Sequence, residues 1–135
     1  EDKTEATDQN TGLTWRRCAE GVPLSGSCAG VAKQFTHAQA LQHATDVAIS
    51  TGVAWRLPNI KELATIGYTE RHSDYPAIDR KTFPATPNHW FWSSTIDEND
   101  SSRAWYLSFA FGGGGSTYRS DPHFVRLVRG PVWWK

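Results

Sequence analysis

The chain has 135 residues, enough for one domain with a real core. Basic and acidic residues balance at 14 each, so net charge gives a nucleic-acid role no general support. Hydrophobic residues make up 39%, with 11 glycines and 7 prolines, which favours turns over long regular elements; no run of 18 apolar residues exists to cross a membrane as a helix.

In chain order, the polar opening Glu1-Asp2-Lys3-Thr4-Glu5 is expected to fray, as the start of a mature or excised fragment. The domain division is therefore a frayed segment 1–11 and a single domain 12–135. Gly12 to Cys18 reads as a strand, with Leu13 and Trp15 facing one way. Cys18 and Cys28 bracket a turn-rich loop holding Gly21, Pro23, Ser25 and Gly26. No histidine lies near them at zinc spacing, so a disulfide is expected, and with it an oxidising compartment. Two reduced, buried thiols are the alternative.

Thr36 and Gln39 form a capping-box pattern that opens a helix over about 37–50, closed by Gly52. Ala38, Leu41, Ala44, Thr45, Ala48 and Ile49 recur at helical spacing and are expected to be its buried stripe. Trp55-Arg56-Leu57 is extended, because Pro58 keeps Leu57 out of helical geometry. Asn59 then caps a second short helix, with Glu62 as its partner and Ile60, Leu63, Ala64 and Ile66 as its apolar side. Residues 68–88 read as a long ordered loop with Pro76, Pro84 and Pro87, anchored by Tyr75, Ile78 and Phe83.

The last third reads as sheet. Trp90 to Thr95 is strand-like, and Asp97 to Ser102 is a polar turn. Along the next strand Trp105, Leu107, Phe109 and Phe111 face one side, and Ala104, Tyr106, Ser108 and Ala110 the other. Gly112-Gly113-Gly114-Gly115 makes a hairpin turn, and Phe124 to Arg129 is the final strand. Two helices, long irregular loops and an antiparallel sheet make an α+β domain.

Five of the seven tryptophans lie in short blocks, which suits an aromatic-rich core. Trp15, Trp55, Trp92 and Trp105 are expected inside it. Trp90, Trp133 and Trp134 fit a binding or subunit surface equally well. Arg56 and Arg126, inside apolar blocks, are expected to make structural hydrogen bonds. Residues 103–135 carry five bases against one acid, so a solvated face and an anion site are both open there.

Asp97, Glu98 and Asp100 offer oxygen ligands and form a weak calcium candidate. The EF-hand glycine and distal glutamate are missing, so a solvated turn is the preferred reading, with no metal or other cofactor expected. The five histidines His37, His43, His72, His89 and His123 are scattered outside any zinc-protease pattern. Ser93-Ser94 lacks a glycine elbow. No catalytic residue is assigned.

The ordered set Gly12-Leu13-Thr14-Trp15 with Cys18 and Cys28, Trp55-Arg56-Leu57-Pro58-Asn59 with Glu62-Leu63, Phe83-Pro84, Trp92-Ser93-Ser94-Thr95, Ala104-Trp105 and Val125-Arg126-Leu127-Val128-Arg129 resembles the Lcl C-terminal domain family of bacterial surface domains. The resemblance implies a C-type-lectin-like fold, related at fold level to formylglycine-generating enzymes and phage tropism proteins. It also implies a secreted, cell-surface location. The family's namesake is a collagen-like adhesin whose trimeric C-terminal domain binds sulfated glycosaminoglycans; this chain has no Gly-X-Y repeat. The expectation is thus a non-enzymatic adhesin module for a sulfated or acidic extracellular glycan. A homotrimer is what the resemblance implies for assembly, and no nucleic acid or membrane insertion is expected. Arg103, Arg119, Arg129 and Lys135, with Trp133 and Trp134, are the expected ligand-binding residues, since the guanidinium fork suits sulfate and carboxylate. A pilus-associated structural or protein-interaction head is the alternative. A formylglycine-generating-enzyme-like oxidase comes third, because both cysteines here are N-terminal.

Overall fold

The Gly12-Leu13-Thr14-Trp15 block folds back on the residues before it. In the computed structural model, which describes residues 4–67, 78–79, 81–110 and 113–132, Glu5–Thr7 forms β1. It pairs antiparallel with β2, Thr14–Arg16, in the register Ala6 to Trp15. The expectation of fraying over 1–11 is therefore corrected: residues 5–7 are sheet. Three residues with no apolar alternation left no strand signal, and the pairing partner supplies it instead.

Helix α1, His37–Thr51, begins and ends where its caps dictate. The Thr36 side chain accepts from the Gln39 N–H, the Gln39 side chain accepts from the Thr36 N–H, and Gly52 closes the helix at φ 70°, a left-handed conformation that suits glycine. The buried face differs from the expected stripe. His37, Ala40 and Ala44 are buried, whereas Ala38, Leu41, Thr45 and Ile49 are exposed. The face is set by what lies opposite: Phe35, Trp55 and Trp92 fill the space beneath α1, so small side chains and an imidazole fit there. Helix α2, Ile60–Ala64, carries the expected Asn59–Glu62 capping box and buries Leu63.

The remaining strands are β3 (Trp90–Ile96), β4 (Arg103–Ser108), β5 (Gly114–Tyr118) and β6 (Val128–Arg129). Among the described residues they make two sheets, ordered β1-β2-β6 and β3-β4-β5, all antiparallel. The fold is α+β as expected, but the single sheet is corrected to two, and the final strand shrinks from 124–129 to β6. Around it, Phe124 bridges to Phe91, His123 to Phe35, and Val128 of β6 also bridges to Arg56.

The Val125-Arg126-Leu127-Val128 stretch runs between two apolar clusters. Val125 and Leu127 join Trp55, Leu57, Trp92 and Ala104 under α1. Val128 joins Leu13, Trp15, Leu63, Phe91 and Leu107 on the other side. Alternation along an extended chain feeds both clusters, which explains why these four residues are all buried. Burying one tryptophan such as Trp15 or Trp92 contributes roughly 4–6 kcal/mol before entropy, an upper figure from area. Cys18 and Cys28 are joined as expected, with sulfurs 2.09 Å apart and Cα atoms 5.2 Å apart. Among the described residues, no helix is long and apolar enough to cross a membrane.

Candidate functional site

Strand β4 sends Arg103, Trp105 and Leu107 to one face and Ala104 and Tyr106 to the other. Ala104 joins the cluster under α1 on one face, and on the other Leu107 joins the second cluster at the strand's inner end. At the outer end the cover opens. Trp105 is half-buried, not in the core as expected, and walls a groove of about 490 Å³ between α2 and the β3–β4 turn. Ile60 and Ala64 of α2 and Ile96 give the groove apolar surface. Lys61, Thr95, Asp97, Glu98 and Asn99 line it with charge and hydrogen-bonding capacity.

The turn at the groove's rim is held by its own side chains. Asp97 accepts from the Asn99 backbone N–H at 3.0 Å and from the Ser116 hydroxyl at 2.9 Å. Asp100 accepts from the Ser102 N–H and hydroxyl, and those bonds hold its carboxyl below the usual aspartate range. These oxygens serve as turn caps, the role favoured for short acidic side chains in loops. Among the described residues, no three His, Cys, Asp or Glu side chains converge as metal ligands.

Arg103 adjoins the groove through a relay. Its Nε–H donates to the Ser116 hydroxyl at 3.1 Å, and that hydroxyl donates to Asp97. The guanidinium also donates through Nη2 to the Ser116 carbonyl and lies 4.9 Å from the centre of the Tyr118 ring. Tyr118 is 54% exposed, so this end of the sheet presents Trp105, Arg103 and Tyr118 on one face. Arg119 follows directly, with its Nε–H donating to His37 Nδ1 at 3.1 Å and Nη1 reaching the Ser101 carbonyl at 3.5 Å. Neither arginine is free of structural bonds. Each nevertheless spends two of the five guanidinium N–H groups on these bonds.

The other expected ligand residues fall elsewhere. Arg129 lies on the other sheet, bound to Glu5 at 2.7 Å and 5.5 Å from the Trp55 ring centre, so it is not grouped with Arg103 and Arg119. Trp133, Trp134 and Lys135 lie outside the described residues. Trp90 stacks on Tyr106 with centroids 4.0 Å apart and planes 13° apart, against His123. It tiles the opposite sheet face. Trp15, Trp55 and Trp92 are buried as expected.

Arg56 and Arg126 make the structural hydrogen bonds expected of them. Arg56 forks onto Glu62 with bonds of 2.8 and 2.7 Å. Arg126 is fully buried between Phe83 and Phe91 and donates to the Arg16 and Arg17 carbonyls and to the Thr86 hydroxyl. Burial pushes its pKa down to about 9, with Glu20 opposing. His37 is buried neutral: desolvation lowers its pKa, the bond to the Ser93 carbonyl opposes, and Arg119 lowers it further.

Sequence reasoning missed Lys61, Thr95 and Asn99 as groove residues, and it placed Trp105 inside. The usable signal was position: Trp105 stands two residues from the polar turn, where a strand leaves the core. The family description of the Lcl C-terminal domain matches residues 4–129. No curated protein matches the chain. That match spans both sheets, both helices and the groove, and the chain belongs to the Lcl C-terminal domain family.

Proposed function

We propose that the domain is an extracellular binding module, an adhesin-type part of a bacterial surface protein, that recognises a sulfated or acidic glycan without covalent chemistry. The observation that carries this reading is Trp105, half-buried as the wall of a groove instead of in the core. An indole face packs well against the C–H face of a sugar ring, and Lys61, Thr95, Glu98 and Asn99 supply partners for ring hydroxyls. An acidic substituent would point towards Arg103 and Arg119, because Asp97 and Glu98 repel it from the groove itself. The disulfide suits a location outside the cytosol.

A glycan array tests the reading. Retention of sulfated or uronate-containing glycans that falls as salt rises is expected, because exposed charge contacts are screened. An empty array at low salt would remove it.

One observation favours a protein-interaction reading as the second choice. The apolar residues Leu41 and Ile49 stand on the outer face of α1, at 38% and 75% exposure. Light scattering of the wild type and of Ile49→Glu decides it: a defined oligomer that the substitution dissociates supports this alternative, and a monomer in both sets it aside.

A further inference from the structure

The turn between β3 and β4 carries a feature that its caps do not use. Asp97-Glu98-Asn99-Asp100-Ser101 holds an asparagine with a serine two residues on and no proline between, the acceptor pattern for N-linked glycosylation. The chain has four asparagines, and the other three lack the pattern: Gly12 stands two residues after Asn10, Lys61 after Asn59 and Trp90 after Asn88. An acid, Asp97, stands two residues before Asn99. Bacterial oligosaccharyltransferases select for an acidic side chain at that place. Such short patterns recur in many chains, so the fold around this one decides whether it can be used.

Three properties of the turn suit an acceptor. Glu98, Asn99, Asp100 and Ser101 are all exposed. Their backbone is held, with the Asn99 N–H donating to Asp97 and the Ser101 carbonyl accepting from Arg119. Among the described residues, however, the Asn99 carboxamide and the Ser101 hydroxyl have no hydrogen-bond partner. The two groups that a transferase handles therefore stand ready. Next, no residue from 97 to 102 is buried, and none belongs to either apolar cluster. Drawing the turn into an extended acceptor form breaks its own bonds, such as those from the Asn99 and Ser102 N–H groups to Asp97 and Asp100, and leaves the core packed. Last, the Cys18–Cys28 disulfide suits the side of the membrane on which lipid-linked oligosaccharides are transferred.

We propose that Asn99 is the attachment site of an N-linked glycan, added outside the cytosol by an oligosaccharyltransferase from an oligosaccharide carried on a lipid diphosphate. Nδ2 of Asn99 bonds to the anomeric carbon of the first sugar as the bond from that carbon to the diphosphate oxygen breaks. The lipid diphosphate leaves with the bonding electron pair, and the proton lost from Nδ2 passes to a base of the transferase. No oxidant or reductant is needed. Because Asn99 lines the Trp105 groove, the glycan starts at the groove's rim. The attachment does not rest on what that groove binds.

The test is export of the domain into the periplasm of cells that hold a single-subunit bacterial oligosaccharyltransferase and its lipid-linked oligosaccharide. Intact mass and peptide mapping are the readouts. The expected result is a gain of one oligosaccharide mass on the peptide that contains Asn99, in protein that keeps its disulfide. Asn99→Gln and Ser101→Ala should abolish the gain, and Ser101→Thr should keep it. Thermal midpoints of the three variants should match the wild type, since both side chains are exposed and unpaired among the described residues. Trp105→Ala should keep the gain too, so a failure of the groove reading would leave this result standing. An unmodified wild type overturns the proposal, as does a mass gain that survives Asn99→Gln or maps to Asn10, Asn59 or Asn88. A glycan found only on the chain unfolded by loss of both cysteines overturns it as well.

Discussion

Arg119 donates its Nε–H to Nδ1 of His37 across 3.1 Å, while Nε2 of the same ring lies 2.8 Å from the Ser93 carbonyl. The pairing fixes the tautomer: Nδ1 must accept, so Nε2 carries the hydrogen and the ring is neutral. It also joins the start of α1 to the end of β5, and so ties the arginine-bearing edge of the sheet to the core.

A pH dependence follows from that tautomer. Burial lowers the folded-state pKa of His37 and of His123 below the ordinary 6.5. The unfolded chain therefore binds protons that the folded chain refuses. Stability from these groups is fully present above about pH 6.5 and declines as pH falls towards the folded values. Thermal midpoints should fall as pH is lowered from about 7.5 to about 5, and His37→Gln should flatten part of the slope. A His37 ring that titrates above 6.5 in proton spectra would contradict the assignment.

The disulfide should matter for stability more than for local geometry. Cys18 and Cys28 are ten residues apart, and closing that loop removes roughly 2.5–3 kcal/mol of unfolded-state entropy in the chain-entropy model. Cys18→Ser with Cys28→Ser should lower the urea midpoint by a corresponding amount. Intact mass should rise by two hydrogen atoms on reduction.

Arg126 is a buried cation whose partners are two carbonyls and a hydroxyl. Arg126→Met keeps the side chain's length and packing but strands those acceptors. The expected loss is about 3 kcal/mol or more, since each buried polar group left unpaired costs about 1–3 kcal/mol. Chemical denaturation measures it. An unchanged midpoint would show that the site tolerates an apolar replacement, as some buried ion sites do.

Glu62 is fully buried, takes both bonds of the Arg56 fork and accepts from the Asn59 N–H at 2.9 Å. One carboxylate thus closes the α2 capping box and pins Arg56, whose backbone bridges to Val128. Glu62→Ala should cost about 3–5 kcal/mol, the range for breaking a buried pair from one side. Glu62→Gln, which keeps the cap and weakens the fork, should cost less in the same calorimetric scan.

Local rules made much of the fold legible. The Thr36 and Asn59 caps gave both helix starts, and Gly52 gave the first helix end, because each is decided within one turn of chain. What failed was decided at long range. The α1 face depended on Phe35, Trp55 and Trp92 beneath it, not on the helix's own apolar period. β1 exists because β2 offers an edge. Trp105 alternates in register with buried Leu107, so its sequence could not show that cover from α2 ends before it. The arginines were read correctly as basic but not as anchored, since the Ser116 and His37 contacts join residues 13 and 82 positions apart. The cysteine pair was legible because its spacing and turn-rich loop left few other uses.

The central claim is that the Trp105 groove and the neighbouring Arg103 bind an acidic glycan. The most direct measurement is calorimetric titration of a heparin-derived oligosaccharide into the wild type, Trp105→Ala and Arg103→Gln, with thermal midpoints taken on the same samples. The account predicts that Trp105→Ala weakens binding at least about tenfold and Arg103→Gln weakens it while reducing its salt dependence. The Trp105→Ala midpoint should fall only modestly, since the ring is half-buried. Full affinity in both variants, or no heat with the wild type at low salt, would contradict it.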